Sequence, residues 1–180
     1  DKKVRPREPI TAKLVANMLT LAGADRIFAI DLHAGQIQGF FDRPVDHLPA
    51  GPIIAEYLIK HGVRDGGTTV VSPDVGGVER ATILAERLGA DLAIVAKRRP
   101  EPGKVKVVEV IGEVRGQTCV LIDDMIDSGG SIVAATNELL ARGAREVYAC
   151  ATHAILSGDA IARIADSPLK ELCLLYTSDA

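Results

Sequence analysis

One local pattern occurs three times in this chain and constrains its fold more than any other feature. A helix-forming stretch ends in Gly-Ala, and an apolar strand-like run follows. The copies are LAGADRIFAID (Leu21 to Asp31), RLGADLAIVAK (Arg87 to Lys97) and ARGAREVYACA (Ala141 to Ala151). Glycine closes a helix in the left-handed conformation, and a short polar step then opens the strand. The strand-like runs are nearly continuous in apolar residues rather than alternating. That pattern suits burial on both faces, as in a parallel sheet covered by helices.

The rest of the chain extends this rhythm. Strands are predicted near 26–32, 68–73, 91–96, 118–123 and 146–152, and helices over 10–22, 52–61, 77–88, 130–142 and 158–166. In the first helix Ile10, Leu14, Met18, Leu21 and Ala22 share one face. Pro9 and Pro52 suit helix starts. Helix and strand alternating throughout predict an α/β fold with a doubly wound parallel sheet. Pro100 to Gln117 interrupts the alternation and reads as a Pro/Gly loop followed by a short hairpin or flap. RPVDHLPAGP, Arg43 to Pro52, reads as a loop between domains. Residues 1–48 then hold one helix and one strand, too little for a core, and read as the remainder of a larger domain. The chain does not begin with Met and is expected to start inside a longer protein.

Composition narrows the function. With 47% hydrophobic residues in 180, a full core can form. A net charge of −3 lacks the basic excess that grips a nucleic-acid backbone. Aromatic residues at 3%, with no Trp, leave little on which to stack bases, so no nucleic-acid partner is expected. No apolar run reaches the ~20 residues that span a bilayer, and DKKVRPRE leads into no signal-type core. A cytoplasmic protein without a membrane partner is the expectation. Cys119, Cys150 and Cys173 form no CxxC pair and read as structural thiols of a reducing compartment.

In such sheets ligands collect at the carboxyl ends of strands, and four of those ends carry chemistry. The first is VLIDDMIDSGGS, Val120 to Ser131. A buried strand delivers Asp123 and Asp124, Asp127 follows, and Ser128-Gly129-Gly130-Ser131 enters a helix. Glycine backbone and a helix N-terminus favour an anion, while carboxylates beside it suit sugar hydroxyls or a metal. Together they predict a phosphorylated sugar; the alternative is a capped turn with solvated acids. The second is VVSPDVGGVERA, where Asp74, Val75, Gly76 and Gly77 could hold another phosphate or a metal–phosphate group, or simply cap a helix. The third is AIDLHAGQ. Asp31 and His33 share a face if the backbone is extended, to meet a metal, to meet a phosphate, or in a structural role. The fourth is AKRRPEPGK, whose cations end a strand and could cover a polyphosphate, or form a solvated basic turn.

DDMIDSGGS resembles the phosphoribosyl-pyrophosphate loop of the type I phosphoribosyltransferase fold. Taken with PITAKLVANML, DLHAGQIQGFFDRPVDHL, VVSPDVGGVERA, KRRPEPG and THAILSGDA, it is similar to the ribose-phosphate pyrophosphokinases, from about Lys3 to about Leu172. The resemblance implies transfer of the β,γ-diphosphoryl group of ATP to ribose 5-phosphate with Mg2+, for nucleotide biosynthesis. It also implies two similar domains: the remainder of an N-terminal one over 1–48 and a C-terminal one over 49–172. A homo-oligomer of dimers, commonly a hexamer, goes with them. Asp123, Asp127, Ser128, Gly129, Gly130 and Ser131 would hold ribose 5-phosphate. Asp74 to Gly77 would lie near the pyrophosphate, His33 and Asp74 would be metal-linked, and Lys97 with Arg99 would be catalytic in a flap.

Ser128 and Ser131 stand where the family more commonly has Thr, and both keep the hydroxyl. The family chain extends ahead of Asp1 and carries there an Arg-Gln pair that contacts ATP, so the fragment alone is expected to be inactive. The final CLLYTSDA, residues 173–180, does not match the family's continuation and reads as an atypical, artefactual tail. A true phosphoribosyltransferase shares the loop but not the KRRPEP and DLHAGQIQGFF segments. A non-catalytic regulatory homologue is disfavoured by the presence of Lys97, Arg99, His33 and Asp74.

Overall fold

The computed structural model describes residues 3, 5–64, 66–98 and 107–176, with backbone alone at 97–98 and 107–108. The chain divides into two compact units, Asp1–Ala50 and Gly51–Ala180.

The first unit contains α1 (Thr11–Leu21), β1 (Ile27–Ile30), a 3-10 helix (Gly35–Phe40) and β2 (Val45–Leu48). β2 falls in the stretch that the sequence presents as a loop. Bounded by Pro44 and Pro49, it is too short to show a period. It is a strand because it pairs in parallel with β1, Ile27 opposite Val45 and Ile30 opposite Leu48. The unit therefore holds more than the one helix and one strand expected of it. β1 also stops at Ile30, short of the predicted 32, because Asp31 turns into the left-handed region at φ 44. Ala16 is buried in α1, but Met18 and Leu21 of the predicted apolar face are 60% and 88% exposed.

The second unit runs α2 (Gly51–Lys60), β3 (Thr68–Ser72), α3 (Val78–Leu88), β4 (Asp91–Arg98), β5 (Val107–Ile111) and β6 (Thr118–Ile126). It continues through α4 (Gly130–Ala141), β7 (Glu146–Ala154), α5 (Ala160–Ala165) and β8 (Glu171–Leu174). The six strands lie in the order β5-β4-β3-β6-β7-β8. All neighbours are parallel except β4 and β5. The predicted doubly wound sheet is present. The chain moves from β3 outward to β4 and β5, then returns to β6 on the other side of β3. The order therefore reverses between β3 and β6, which is where ligands gather in open α/β sheets.

The repeated Gly-Ala punctuation has one geometry. Gly23, Gly89 and Gly143 take φ of 101°, 65° and 91°. The following alanine N–H donates to the carbonyl five residues back each time: Ala24 to Leu19, Ala90 to Ala85 and Ala144 to Leu139, all at 3.0 Å. This bond closes a helix through a left-handed glycine and releases the chain toward the next strand.

A row of registered side chains crosses the sheet, Ala93–Val71–Leu121–Ala149–Leu172. It packs with Ile132, Ala135 and Leu139 of α4. Leu121 and Leu139 are fully buried, and each such side chain contributes ~1.5–3 kcal/mol. β5 closes the far edge as the second arm of a hairpin, Lys97 opposite Val108 and Arg98 opposite Val107. Its exit is a tight fit: Gly112 has φ 115°, and a Cβ there would lie 2.7 Å from the Leu92 carbonyl oxygen.

Several strand limits differ from expectation, β4 ending at 98 rather than 96 and β7 at 154 rather than 152 among them. β6 runs to Ile126 rather than 123, because pairing with β7 continues through Met125–His153 and Ile126–Ala154. Asp123 and Asp124 are thus strand residues, and the loop begins at Asp127. β8 crosses the expected domain end at 172, since Cys173 and Leu174 pair with Cys150 and Ala151. No helix among the described residues is long and apolar enough to cross a membrane.

Candidate functional site

Strand alternation sends Asp123 to the face of Leu121, and Asp124 to the face of Val120 and Ile122. The Asp124 side chain is 5% exposed and that of Asp123 24%. The Asp124 N–H donates to Asp123 Oδ1 at 2.9 Å. Arg80, in the first turn of α3, places Nη1 3.7 Å from Asp123 Oδ1 and 3.6 Å from Asp124 Oδ1. Burial, and then the Asp124 carboxyl beside it, push the Asp123 carboxyl up to about 7; the Asp124 N–H and the Arg80 charge pull the other way.

Beyond the acids the loop is braced from behind. The Ser157 hydroxyl donates to the Asp127 carboxylate, and the Ser157 N–H to the Asp127 carbonyl at 3.1 Å. Arg163 of α5 donates to the Ser128 carbonyl. Gly129 holds φ 71° against Ile164, and a Cβ there would stand 3.0 Å from Ile164 Cγ1. No side chain of the residue preceding α4 caps that helix. A helix N-terminus reached through a glycine loop is the arrangement that favours an anion. Asp123 and the segment 125–132 enclose a cavity of about 270 Å³. That is just below the ~300–1,000 Å³ of sites for drug-sized ligands. Carboxylates at one end and helix N–H groups with serine hydroxyls at the other can take hydroxyls and a phosphate on one small molecule.

The loop after β3 is built differently. The Ser72 hydroxyl donates to the Asp74 carbonyl at 2.6 Å, and Asp74 Oδ1 accepts the Gly77 N–H at 3.0 Å. A Cβ on Gly77 would lie 2.9 Å from Ser72 Oγ, so the turn admits only glycine there without movement. Asp74 thus caps the turn, the alternative that the sequence left open, while Asp74, Val75 and Gly76 remain exposed. Because β3 and β6 are neighbours, this loop and the Asp123–Ser131 segment leave the same edge of the sheet on adjacent strands.

Asp31 and His33 do not share an extended strand. Asp31 lies at positive φ, and its Oδ1 accepts the Ala50 N–H at 3.2 Å, which gives it a structural task. His33 is exposed in the same unit. Lys97 lies in the last turn of pairing of β4, its side chain outside the described residues, and Arg99 lies outside them altogether.

The sequence gives little warning of Arg80, Ser157 and Arg163. Arg80 is a lone cation one turn into a helix, and its contacts come from a strand more than forty positions on. Ser157 and Arg163 lie in the THAILSGDA region, where no local pattern marks them as supports for a distant loop.

Fold and switch-point cavity together define a phosphoribosyltransferase-type α/β domain. The chain belongs to the phosphoribosyl transferase domain family, whose profile matches residues 49–166. Over 99% of its length it is 56% identical to ribose-phosphate pyrophosphokinase 2 of Enterococcus faecalis, covering 56% of that protein. Over 96% of its length it is 55% identical to the ribose-phosphate pyrophosphokinase of Bacillus subtilis, covering 54% of it. The chain thus spans about half the length of the curated relatives it matches. The crystal structure of the Mycobacterium smegmatis phosphoribosylpyrophosphate synthetase superposes with a TM-score of 0.88 at 47% identity, over 97% of this chain and 56% of that one. An adenine phosphoribosyltransferase, at 18% identity and TM-score 0.57, shares the fold over 70% of this chain and 77% of its own.

Proposed function

We propose that this chain carries the sugar-phosphate site of an enzyme that makes 5-phosphoribosyl 1-pyrophosphate and AMP from ATP and ribose 5-phosphate, in the cytoplasm, for nucleotide biosynthesis. The supporting observation is the cavity lined by Asp123, Asp127 and the N-terminal turn of α4, which brings carboxylates and a helix N-terminus to one small volume. The names of relatives more than 50% identical support the same reaction.

In this reading the 5-phosphate lies on the N–H groups of α4 and the hydroxyls of Ser128 and Ser131. Asp123 and Asp127 accept from the ribose hydroxyls, which orients the 1-hydroxyl toward the switch point. The loop Asp74–Gly77 receives the diphosphoryl group, and Lys97 with Arg99 neutralises charge that grows during transfer. Positioning supplies much of the rate, so no strong base is required.

Mg2+ fits this scheme as a companion of the nucleotide. Among the described residues no three His, Cys, Asp or Glu side chains form a metal cage. Mg2+ on a nucleotide takes one or two carboxylates and completes its shell with phosphates and water. An exposed carboxylate such as Asp74 suits that mode, and His33 is a second proposed contact. The metal, when bound, shields phosphate charge. Assembly of dimers into a larger homo-oligomer belongs to the same proposal.

The test is release of AMP from ATP, dependent on ribose 5-phosphate, by the protein that bears this chain. Transfer of a phosphoribosyl group to a free base in place of AMP release would move the protein to the transferases. Absence of both reactions would favour a regulatory role.

A further inference from the structure

We infer that Arg80 is a positioning residue for ribose recognition, acting through Asp123 and Asp124. The inference rests on the sugar-phosphate reading above and adds a residue to it. Arg80 belongs to α3, the helix entered from the Asp74–Gly77 loop, yet its guanidinium reaches the acids of β6. It stands nearly equidistant from one oxygen of each, at 3.7 and 3.6 Å, with its side chain only 21% exposed. These separations are ion-pair distances, longer than hydrogen bonds. Arg80 therefore balances two crowded carboxylates without consuming their acceptor positions.

The physical need is plain. Two adjacent carboxyl groups, one almost fully buried, resist ionising together. The charged groups acting on Asp123 are Asp124 from its own strand and Arg80 from α3. A protonated Asp123 offers an O–H where ribose hydroxyls need an acceptor. The Arg80 cation favours the ionised pair, and its anchorage in α3 links the shape of one switch-point loop to the charge of the other. A cation that merely knitted the fold together would be replaceable by packing, whereas one with this task must keep its charge.

The experiment is calorimetry of the 180-residue chain with ribose 5-phosphate as a function of pH, on the wild type and on the Arg80→Gln and Arg80→Lys variants. Arg80→Gln should weaken binding about fivefold at pH 7, the loss of ionised Asp123 when its midpoint rises from about 7 by roughly one unit. The loss should shrink toward pH 9, and Arg80→Lys should restore most of the affinity. In an Asp123→Asn background, Arg80→Gln should add little. A loss equal at all pH values and not rescued by lysine, or no loss, would overturn the role of Arg80. If the wild type itself fails to bind, the sugar-phosphate reading falls. Arg80 is then judged by carbon NMR titration of the Asp123 carboxyl, whose midpoint must rise in Arg80→Gln and hold in Arg80→Lys; an unmoved midpoint overturns the inference.

Discussion

Gly129 and Ile164 touch so closely that a single methyl group on the glycine would stand 3.0 Å from Ile164 Cγ1. The glycine also holds φ 71°. Shape and dihedral both exclude a side chain at the point where the loop turns into α4. Gly129→Ala should cost about 1–3 kcal/mol in urea unfolding, from strain and overpacking, and should weaken ribose 5-phosphate binding more than it weakens the fold. Unchanged stability and affinity would mean that α5 yields and that the loop is not held rigidly.

The raised Asp123 carboxyl makes a prediction with a definite sign. Its folded value of about 7 exceeds the unfolded value near 4, so the folded state binds the proton more tightly. This group's favourable contribution is complete below about pH 4 and is lost as pH rises through about 7. Without ligand, Asp123→Asn should therefore be more stable than the wild type at pH 8, by on the order of 1–4 kcal/mol, with the gap closing toward pH 4. Thermal melts of both proteins across that range check it. A gap that widens on acidification would reverse the assignment.

Lys97→Ala, in the protein bearing the whole of this chain, should lower turnover by orders of magnitude, since one lost charge-stabilising donor is worth ~3–4 kcal/mol. Ribose 5-phosphate affinity should stay within a factor of a few. Near-normal AMP release would remove Lys97 from the mechanism.

For the metal, Asp74→Asn is more informative than alanine, because the amide oxygen can still accept the Gly77 N–H that Asp74 Oδ1 accepts at 3.0 Å. The cap survives while the charge goes. Asp74→Asn and His33→Ala should each raise the Mg2+ concentration needed for half-maximal rate. Overlapping Mg2+ titrations for wild type and both variants would reject both metal contacts.

Expressed as it stands, the 180-residue chain should bind ribose 5-phosphate without useful AMP release. The cavity proposed for the sugar phosphate is lined by one stretch of β6, loop and α4, whereas the chain spans only about half the length of its curated relatives. Calorimetry beside a turnover assay separates the two halves. Robust turnover by this chain would show that the part of its relatives it does not span is dispensable for the reaction.

Most of the sheet was legible because its determinants are local. The Gly-Ala helix stops at Gly23, Gly89 and Gly143 and the apolar runs of β3, β6 and β7 announce themselves in sequence. β2 and β8 do not, since four-residue strands show no period and exist through pairing with β1 and β7. The site divides in the same way. Asp123 and the glycine loop are contiguous and readable. Arg80 reaches them from α3, and Ser157 and Arg163 from the far end of β7 and from α5, by contacts that only the folded chain creates.

The β4–β5 hairpin has a consequence for how this architecture can change over time. Arg98 and Val107 face each other in register, so the two roots of the intervening segment are fixed about one strand spacing apart, ~4.8 Å. The separation to be bridged is thus independent of how many residues lie between them, and each doubling of a flexible segment costs only ~0.6 kcal/mol in closure entropy. Gly112 pins the other end of β5 against Leu92, which holds the strand in register while the segment varies. Insertions between the roots are therefore nearly neutral for the sheet. The edge of the sheet works as a socket, in which connecting segments of different length and sequence can be exchanged without redesigning the domain that carries them.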